Sequence, residues 1–200
     1  MWNLNNKTIV ISGATNGIGK AAAIELSKQN PKLLFTYRNQ DLANELLAEI
    51  KKVSPETQVH SVYCDFSSQD SIKKCIDEIN DLCGDIDVLI NNAGVVNTSY
   101  HETSDGIENT FAVNHLGYFL FTNLLLHKLK SKNEARIVNV SSAAHSFVKE
   151  MQWQDINFEN NFGHGLRPYG QSKLANLLFT RYLAIKLSTE NISVNAIHPG

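Results

Sequence analysis

Tyr169 and Lys173 are the residue pair with the clearest chemical potential in this chain, in the run Tyr169-Gly170-Gln171-Ser172-Lys173. The surrounding sequence predicts a helix from about Arg167 to Leu187, and side chains four positions apart lie on one helical face. A free phenol ionises with a pKa of about 10, and a neighbouring ammonium stabilises the phenolate. The pair therefore predicts a group that exchanges protons near neutral pH, although isolated matches of this spacing are common on helix surfaces.

Two polar residues upstream fit the same chemistry. Ser142 follows a predicted core strand, where its hydroxyl can donate a hydrogen bond to the developing oxyanion of a carbonyl compound. Asn114 lies within a long apolar helix predicted from Ile107 to about Leu129, and a buried amide needs a hydrogen-bond partner. Asn114 could hold a water that relays protons through Lys173, or it could simply be a satisfied amide of the core.

A glycine-rich turn stands near the start of the chain, in Gly13-Ala14-Thr15-Asn16-Gly17-Ile18-Gly19. Its pattern, G-x-x-x-G-x-G, differs from the more familiar G-x-G-x-x-G fingerprint. The physical use is similar, because glycines let the backbone turn tightly and approach a pyrophosphate at a helix N-terminus. A turn of this kind between a first strand and a first helix predicts nucleotide binding.

The residues after the second and third predicted strands indicate which nucleotide would bind. An acidic residue after the second strand would favour NAD, whereas this chain has Arg38 and Asn39. A guanidinium suits a 2′-phosphate, and Lys20 could add a second positive charge. We therefore predict NADP(H), with the alternative that Arg38 is only a solvated surface charge. Asp65, after the third strand, is placed to bond the adenine amino group, or it is simply an acidic residue that leads into a helix; its neighbour Phe66 is also assigned to the cofactor site.

Strand-like and helix-like segments alternate along the whole chain. The predicted strands are Lys7–Ser12, Lys32–Tyr37, Gln58–Cys64, Asp87–Ile90, Arg136–Val140 and Ser193–Ile197. Besides the two helices above, we predict helices at Lys20–Gln29, at Asp41–Val53, and from a capping box at Ser67 and Asp70 to about Cys83. This alternation predicts the α/β class, as a Rossmann-type doubly wound parallel sheet in the order 3-2-1-4-5-6 forming a single domain.

Composition narrows the classes of protein that remain. Eighteen Lys and Arg against 20 Asp and Glu give a net charge of −2, so we expect no nucleic-acid partner. The seven His show no metal-ligand spacing, and we expect no metal site. No apolar run approaches the about 20 residues that a membrane span needs. Three Cys without a C-x-x-C motif fit a reducing compartment, so we expect a cytoplasmic protein.

Taken in order, these motifs resemble the classical short-chain dehydrogenase/reductase family over nearly the whole chain. The resemblance implies a Rossmann-type fold, a catalytic group of Asn114, Ser142, Tyr169 and Lys173, and a further role for Lys173 in binding the nicotinamide ribose. It also implies that the cofactor is flanked by Asn92, Ala93, Gly94, Pro199 and Gly200. Ser12 stands where the family usually has Thr; because the hydroxyl is kept, we expect little effect.

A branch of that family is suggested as well. The runs Ser104–Glu108, Val113–Gly117, Arg136–Ser142, Asp155–Phe158 and Ser172–Asn176 resemble the retinol dehydrogenase and WW-domain oxidoreductase-like branch. The branch has an extended segment between Ser142 and Tyr169, and its members often reduce apolar carbonyl compounds with NADP(H). Family members continue beyond the position of Gly200 with a region that selects the substrate, so we expect residues 1–200 to be a C-terminally truncated NADP(H)-binding domain.

The resulting prediction is an NADP(H)-dependent oxidoreductase that interconverts an alcohol and a ketone or aldehyde, with Tyr169 as the general acid and base. We expect a small apolar substrate, and homo-oligomerisation is compatible with the resemblance. One alternative is a non-catalytic NADP(H)-binding or interaction protein that retains the fold. Another is a nucleotide-sugar epimerase or dehydratase, which shares the Tyr–Lys spacing but usually carries G-x-x-G-x-x-G, a pattern that this chain does not match.

Overall fold

A six-stranded parallel sheet organises residues 2–199, the part of the chain that the computed structural model describes. In chain order the strands are β1 (Thr8–Ile11), β2 (Lys32–Tyr37), β3 (Gln58–Tyr63), β4 (Val88–Asn91), β5 (Ala135–Val140) and β6 (Ile192–Ile197). They lie side by side in the order β3-β2-β1-β4-β5-β6. The predicted fold class and strand order are confirmed.

The helices that connect the strands are α1 (Gly17–Ser27), α2 (Gln40–Val53), α3 (Gln69–Leu82), α4 (Asn109–Phe111), α5 (Gly117–Lys130) and α6 (Leu166–Lys186). Helices α1 and α2 pack on one face of the sheet, against side chains such as Ile9 and Leu33. Helices α3, α5 and α6 pack on the other face, against Val10 and Leu89. The central strands are mostly apolar, as expected for strands with both faces buried.

Two helix starts differ from the sequence-based expectation. The first helix begins at Gly17 rather than Lys20, with Asn16 as its N-cap. The third helix is capped by Ser68, whose hydroxyl accepts a bond from the Ser71 N–H at 3.3 Å. The predicted capping box at Ser67 was therefore wrong, because the helix begins one residue later; the Ser67 N–H and hydroxyl both donate to Asp65.

The long helix predicted from Ile107 to about Leu129 is broken by a π turn. Helix α4 ends at Phe111, the π turn covers Ala112–Leu116, and α5 continues from Gly117, whose N–H donates to the Ala112 carbonyl. A π turn fits one more residue into the turn than an α-helix does, and such turns occur frequently at functional sites. The prediction of one continuous helix was wrong at the position of Asn114.

The segment between β5 and α6 contains short 3₁₀ turns and is attached to α6 by one amide. The fully buried Gln171 accepts a bond from the Gln152 N–H at 2.7 Å and donates to the Ile156 carbonyl at 3.2 Å. This segment is thereby held against the helix that carries Tyr169. Within residues 2–199, no helix combines the length and the apolar character needed to cross a bilayer.

Candidate active site

A cleft of about 650 Å³ opens beyond the carboxyl ends of the strands, where a doubly wound sheet binds its ligands. Most of the residues singled out in the sequence line it: Gly13, Thr15, Asn16, Gly17, Ile18, Gly19, Arg38, Asn39, Phe66, Asn92, Ala93, Gly94, Ser142, Tyr169, Lys173 and Pro199. Lys20, Asp65 and Asn114 are not among its lining residues. Gly200, assigned to the cofactor from the sequence, lies outside the described residues.

The glycine turn is shaped by close contacts that leave no room for side chains. Gly13 has φ of +65°, and a Cβ at this position would come within 2.5 Å of the Ala93 Cα. A Cβ on Gly19 would collide with the Gly13 carbonyl and with the Asn92 amide nitrogen. The Asn92 side chain in turn donates to the Gly13 carbonyl at 2.8 Å. The turn is thus pressed against the end of β4, and this compact cradle fits a pyrophosphate at the start of α1.

The Ser12 hydroxyl joins the ends of β1 and β4. Its oxygen accepts bonds from the N–H groups of Asn92 at 2.9 Å and Ala93 at 3.1 Å. The Ser12 side chain is fully buried, where a polar group needs hydrogen-bond partners within the protein. The hydroxyl that the sequence retains here fixes the distance between the glycine turn and the Asn92–Gly94 segment.

Of the charged residues predicted to bind the cofactor, Arg38 lies at the cleft, whereas Lys20 and Asp65 do not line it. Arg38 lines the cleft with 58% of its side chain exposed, and its Nη1 lies 4.0 Å from Asp65 Oδ1. Lys20 instead pairs with Glu49 at 2.6 Å, so it adds no second charge to the cleft in this structure. Asp65 bonds to Ser67 and faces Arg38, and the adjacent Phe66 lines the cleft where Asp65 was expected.

Tyr169 and Lys173 lie together at the cleft, as their spacing predicts. Tyr169 is half-buried, and the Lys173 Nζ lies 5.5 Å from the centroid of its ring. The Lys173 side chain is almost fully buried, and Nζ donates to the Val140 carbonyl at 3.0 Å. Burial lowers the pKa of Lys173 to about 8. An ammonium has three donors, so two remain for groups in the cleft.

Ser142 completes the group at the carboxyl end of β5. Its hydroxyl oxygen accepts a bond from the Ala144 N–H at 3.2 Å and caps the 3₁₀ turn Ala143–Phe147. The hydroxyl proton is not used by that bond and can be donated into the cleft. The preceding Ser141 hydroxyl donates to the Lys173 carbonyl at 2.9 Å, which ties α6 to β5.

Asn114 is fully buried behind the cleft and is bonded on all sides. Its amide nitrogen donates to the Val95 carbonyl at 2.9 Å and to the Ser172 hydroxyl at 3.2 Å. Its Oδ1 accepts a bond from the Val95 N–H at 2.8 Å. Both N–H groups are therefore committed, and only the second lone pair of Oδ1 is left for the water relay suggested by the sequence.

Several residues that line the cleft were not predicted from the sequence. Thr36 is a polar residue within an apolar strand, and its hydroxyl accepts a bond from the Gly13 N–H at 3.2 Å. That unusual polarity was the one signal available. The other missed residues are mostly apolar and resemble ordinary core positions; they are Tyr37, Leu42, Cys64, Val95, Val96, Val113, Val140 and Ser141.

Comparison with known proteins agrees with this fold. The family model for short chain dehydrogenase matches residues 7–154. Human retinol dehydrogenase 13 is 38% identical over 97% of the chain, and the chloroplastic short-chain dehydrogenase TIC 32 A of Brassica napus is 39% identical over 96%. A solved structure from Mycobacterium paratuberculosis is 33% identical with a TM-score of 0.85, and the match covers 99% of this chain and 69% of that one.

The chain belongs to the short-chain dehydrogenase/reductase family of oxidoreductases, which use a nicotinamide cofactor. Within the family it falls in the retinol dehydrogenase-like branch, as the resemblance in the sequence suggested. It spans 58% of the length of retinol dehydrogenase 13 and 63% of that of TIC 32 A.

Gly19→Ala should test the compact cradle. The new methyl group must displace the Gly13 carbonyl or the Asn92 amide, so we expect a loss of about 1 to 3 kcal/mol in the free energy of unfolding, measured by urea denaturation. Gly84→Ala is the matched control, because no atom lies within 4 Å of the position that its methyl group would occupy, and the change should stay within about 0.5 kcal/mol. Equal effects of the two substitutions would contradict the close approach.

Lys173→Met should change how stability depends on pH. Because burial lowers the pKa of Lys173 from 10.5 to about 8, the folded protein releases this proton before the unfolded chain does. Between these pH values the unfolded chain binds more protons, so the parent should gain about 3 kcal/mol in unfolding free energy relative to the variant as the pH rises. Urea denaturation across that range measures the difference, and parallel curves for the two proteins would show that the ammonium titrates normally.

Proposed function

We propose that this chain is an NADP(H)-dependent oxidoreductase that interconverts an alcohol and a ketone or aldehyde, with Tyr169 as the general acid and base. Residues 1–200 would act as a single NADP(H)-binding domain. The observation that carries the proposal is that Tyr169, Lys173 and Ser142 line the same cleft as the glycine turn. This proximity supports a role for Tyr169 in proton exchange beside a site that suits a dinucleotide.

Each side chain has a distinct task in the proposed reaction. When bound, the nicotinamide cofactor supplies a hydride to the carbonyl carbon or accepts one from the alcohol. In reduction, the Tyr169 hydroxyl donates its proton to the substrate oxygen, and the Ser142 hydroxyl donates a hydrogen bond to the same atom. The two free donors of Lys173 stabilise the Tyr169 oxygen as it becomes negative and bind the ribose hydroxyls. In oxidation the proton moves in the opposite direction.

The preference for NADP(H) rests on Arg38. Its guanidinium is at the rim of the cleft, beside the Asn39 cap of α2, and remains exposed enough to reorient toward a 2′-phosphate. The ion pair with Asp65 is long and partly solvated, so it competes weakly with a bound phosphate. No acidic side chain occupies the position after β2 that would select an unphosphorylated ribose.

The substrate we propose is a small apolar carbonyl compound or alcohol. Val95 and Val96 line the cleft on the side that Asn114 holds in place, and half of Val96 is exposed. Human retinol dehydrogenase 13, by its name, acts on an apolar alcohol, which supports the same class here. Because all three cysteines are free and buried, we assign the activity to a reducing compartment such as the cytoplasm.

Tyr169→Phe should abolish turnover while leaving cofactor binding intact. The substitution removes only the hydroxyl, so we expect a loss of at least about 100-fold in kcat, measured by NADPH absorbance with a panel of apolar aldehydes and ketones. Tyr182→Phe, an exposed position on the same helix, is the control and should keep full activity. If the parent binds NADPH but turns over no compound in the panel, the non-catalytic alternative is correct; retained activity in Tyr169→Phe would exclude Tyr169 as the acid.

Arg38→Ala should reduce the preference for NADPH over NADH. Loss of a charge-assisted bond to the 2′-phosphate should weaken NADPH binding about 10- to 100-fold and leave NADH binding within about twofold. A fluorescence titration with each cofactor measures both values. Arg181→Ala removes an exposed arginine that does not line the cleft, so it controls for the change in net charge. Equal parent affinities for the two cofactors would refute the assignment to NADP(H).

A further inference from the structure

We propose that Asn176 is a positioning residue for this reaction, which acts by fixing the π turn that aims the Asn114 side chain at the cleft wall. The inference rests on the proposed function for its kinetic consequence, but its structural basis is independent. Asn176 ends the run Ser172–Asn176, one of those that resemble the retinol dehydrogenase-like branch, and the proposed reaction gives its side chain no task. It is fully buried on α6, one helical turn beyond Lys173.

One end of the Asn176 amide holds the backbone of the π turn. Its Nδ2 donates to the Asn114 carbonyl at 2.8 Å. The Asn114 carbonyl thus accepts a hydrogen bond from a side chain on another helix. It lies in a π turn, where backbone hydrogen bonds join residues five apart rather than four apart as in an α-helix. Because this contact is fully buried, its loss would leave a polar group without access to water.

The other end of the same amide holds the next residue of the turn. The Asn176 Oδ1 lies 3.0 Å from His115 Nδ1. Since the amide nitrogen must face a carbonyl, Oδ1 is the acceptor, and this assigns the proton to Nδ1 of His115. Burial lowers the pKa of His115, so the ring stays neutral, and it packs against Phe111 and Phe179. A single amide therefore fixes two consecutive residues of the π turn.

This fixed turn determines where the Asn114 side chain points. That side chain brackets the Val95 peptide with two hydrogen bonds and also bonds to Ser172, the neighbour of Lys173. Helix α6 thus holds Asn114 twice, at its backbone through Asn176 and at its side chain through Ser172. Val95 lines the cleft, so a shift of the π turn would move the cleft wall next to Lys173. Asn176 acts on the site through Asn114.

Hydrogen exchange at the Val95 amide provides a test that does not depend on activity. In Asn176→Ala, the bond from the Val95 N–H to Asn114 should weaken, and exchange at this amide should accelerate about tenfold or more. Thr180→Val is the matched control. Thr180 is also buried on α6, where its hydroxyl accepts a bond from Asn139 and donates to the backbone carbonyl of Asn176. Its replacement therefore disturbs the same part of α6 but leaves the Asn176 amide, which holds the π turn, in place. Unchanged exchange at Val95 in Asn176→Ala, or equal acceleration in Thr180→Val, would overturn the proposal.

Kinetics then separate positioning from simple stabilisation. Asn176→Ala should lower kcat about 10- to 100-fold with the KM for NADPH within about twofold, whereas Thr180→Val should keep kcat. In an Asn114→Ala background, Asn176→Ala should cost nothing further in kcat, because the side chain that it aims is absent. Additive losses in the double variant would contradict action through Asn114.

A milder variant, together with measurements on the parent protein, distinguishes failure of the proposed function from failure of the role of Asn176. Asn176→Ser retains a polar group but is too short to bridge Asn114 and His115, so it should show the same acceleration at Val95 if Asn176→Ala fails to fold. If the parent protein turns over no carbonyl compound while Val95 exchange responds as expected, the proposed function fails and the positioning of Asn114 stands. If the parent is active and Val95 exchange does not respond, only the role of Asn176 is rejected.

Discussion

The reciprocal hydrogen bonds between helix α6 and the end of strand β5 are the constraint on which the site depends. Lys173 Nζ donates to the Val140 carbonyl, and the Ser141 hydroxyl donates to the Lys173 carbonyl. Burying an ammonium is costly unless it is hydrogen-bonded, so this contact fixes the helix in one register against the strand. Tyr169 is brought to the cleft by the same register, and Ser142 lies two residues after the end of the strand. The side chains assigned to the chemistry are thus positioned by secondary structure rather than by mobile loops.

The sheet and most of the cleft could be predicted because their determinants are local in sequence. Short apolar strands separated by helices leave few ways to arrange a parallel sheet, and residues placed just after strands must meet at one edge. Gly13 and Ser142 therefore line the same cleft although they are far apart in the chain. The pairing of Tyr169 with Lys173 was equally accessible, since helical geometry alone makes them neighbours.

Most of what the sequence did not predict depends on partners from distant segments. Lys20 pairs with Glu49 on another helix, and no local pattern distinguishes that choice from a contact with a phosphate. Ser68 rather than Ser67 caps α3, while the Ser67 N–H and hydroxyl both donate to Asp65. The spacing of apolar residues does not predict the π turn, because an amide on α6 stabilises it. Contacts between distant segments decided the cases of Lys20 and the π turn, whereas the cap of α3 depends on a local alternative.

The π turn also constrains how this helix can change. Asn114 and Tyr118 are four residues apart, and in an unbroken α-helix they would share a face. Here Asn114 reaches Val95 and Ser172, while the fully buried Tyr118 belongs to the same hydrophobic cluster as Phe121. The extra residue puts the two halves of the helix out of phase, so that each half meets its own surroundings. Deleting one residue between Ala112 and Leu116 would restore the pitch of an α-helix. Either the half with Asn114 or the half with Tyr118 would then lose its present contacts, so the length of this turn is harder to change than its composition.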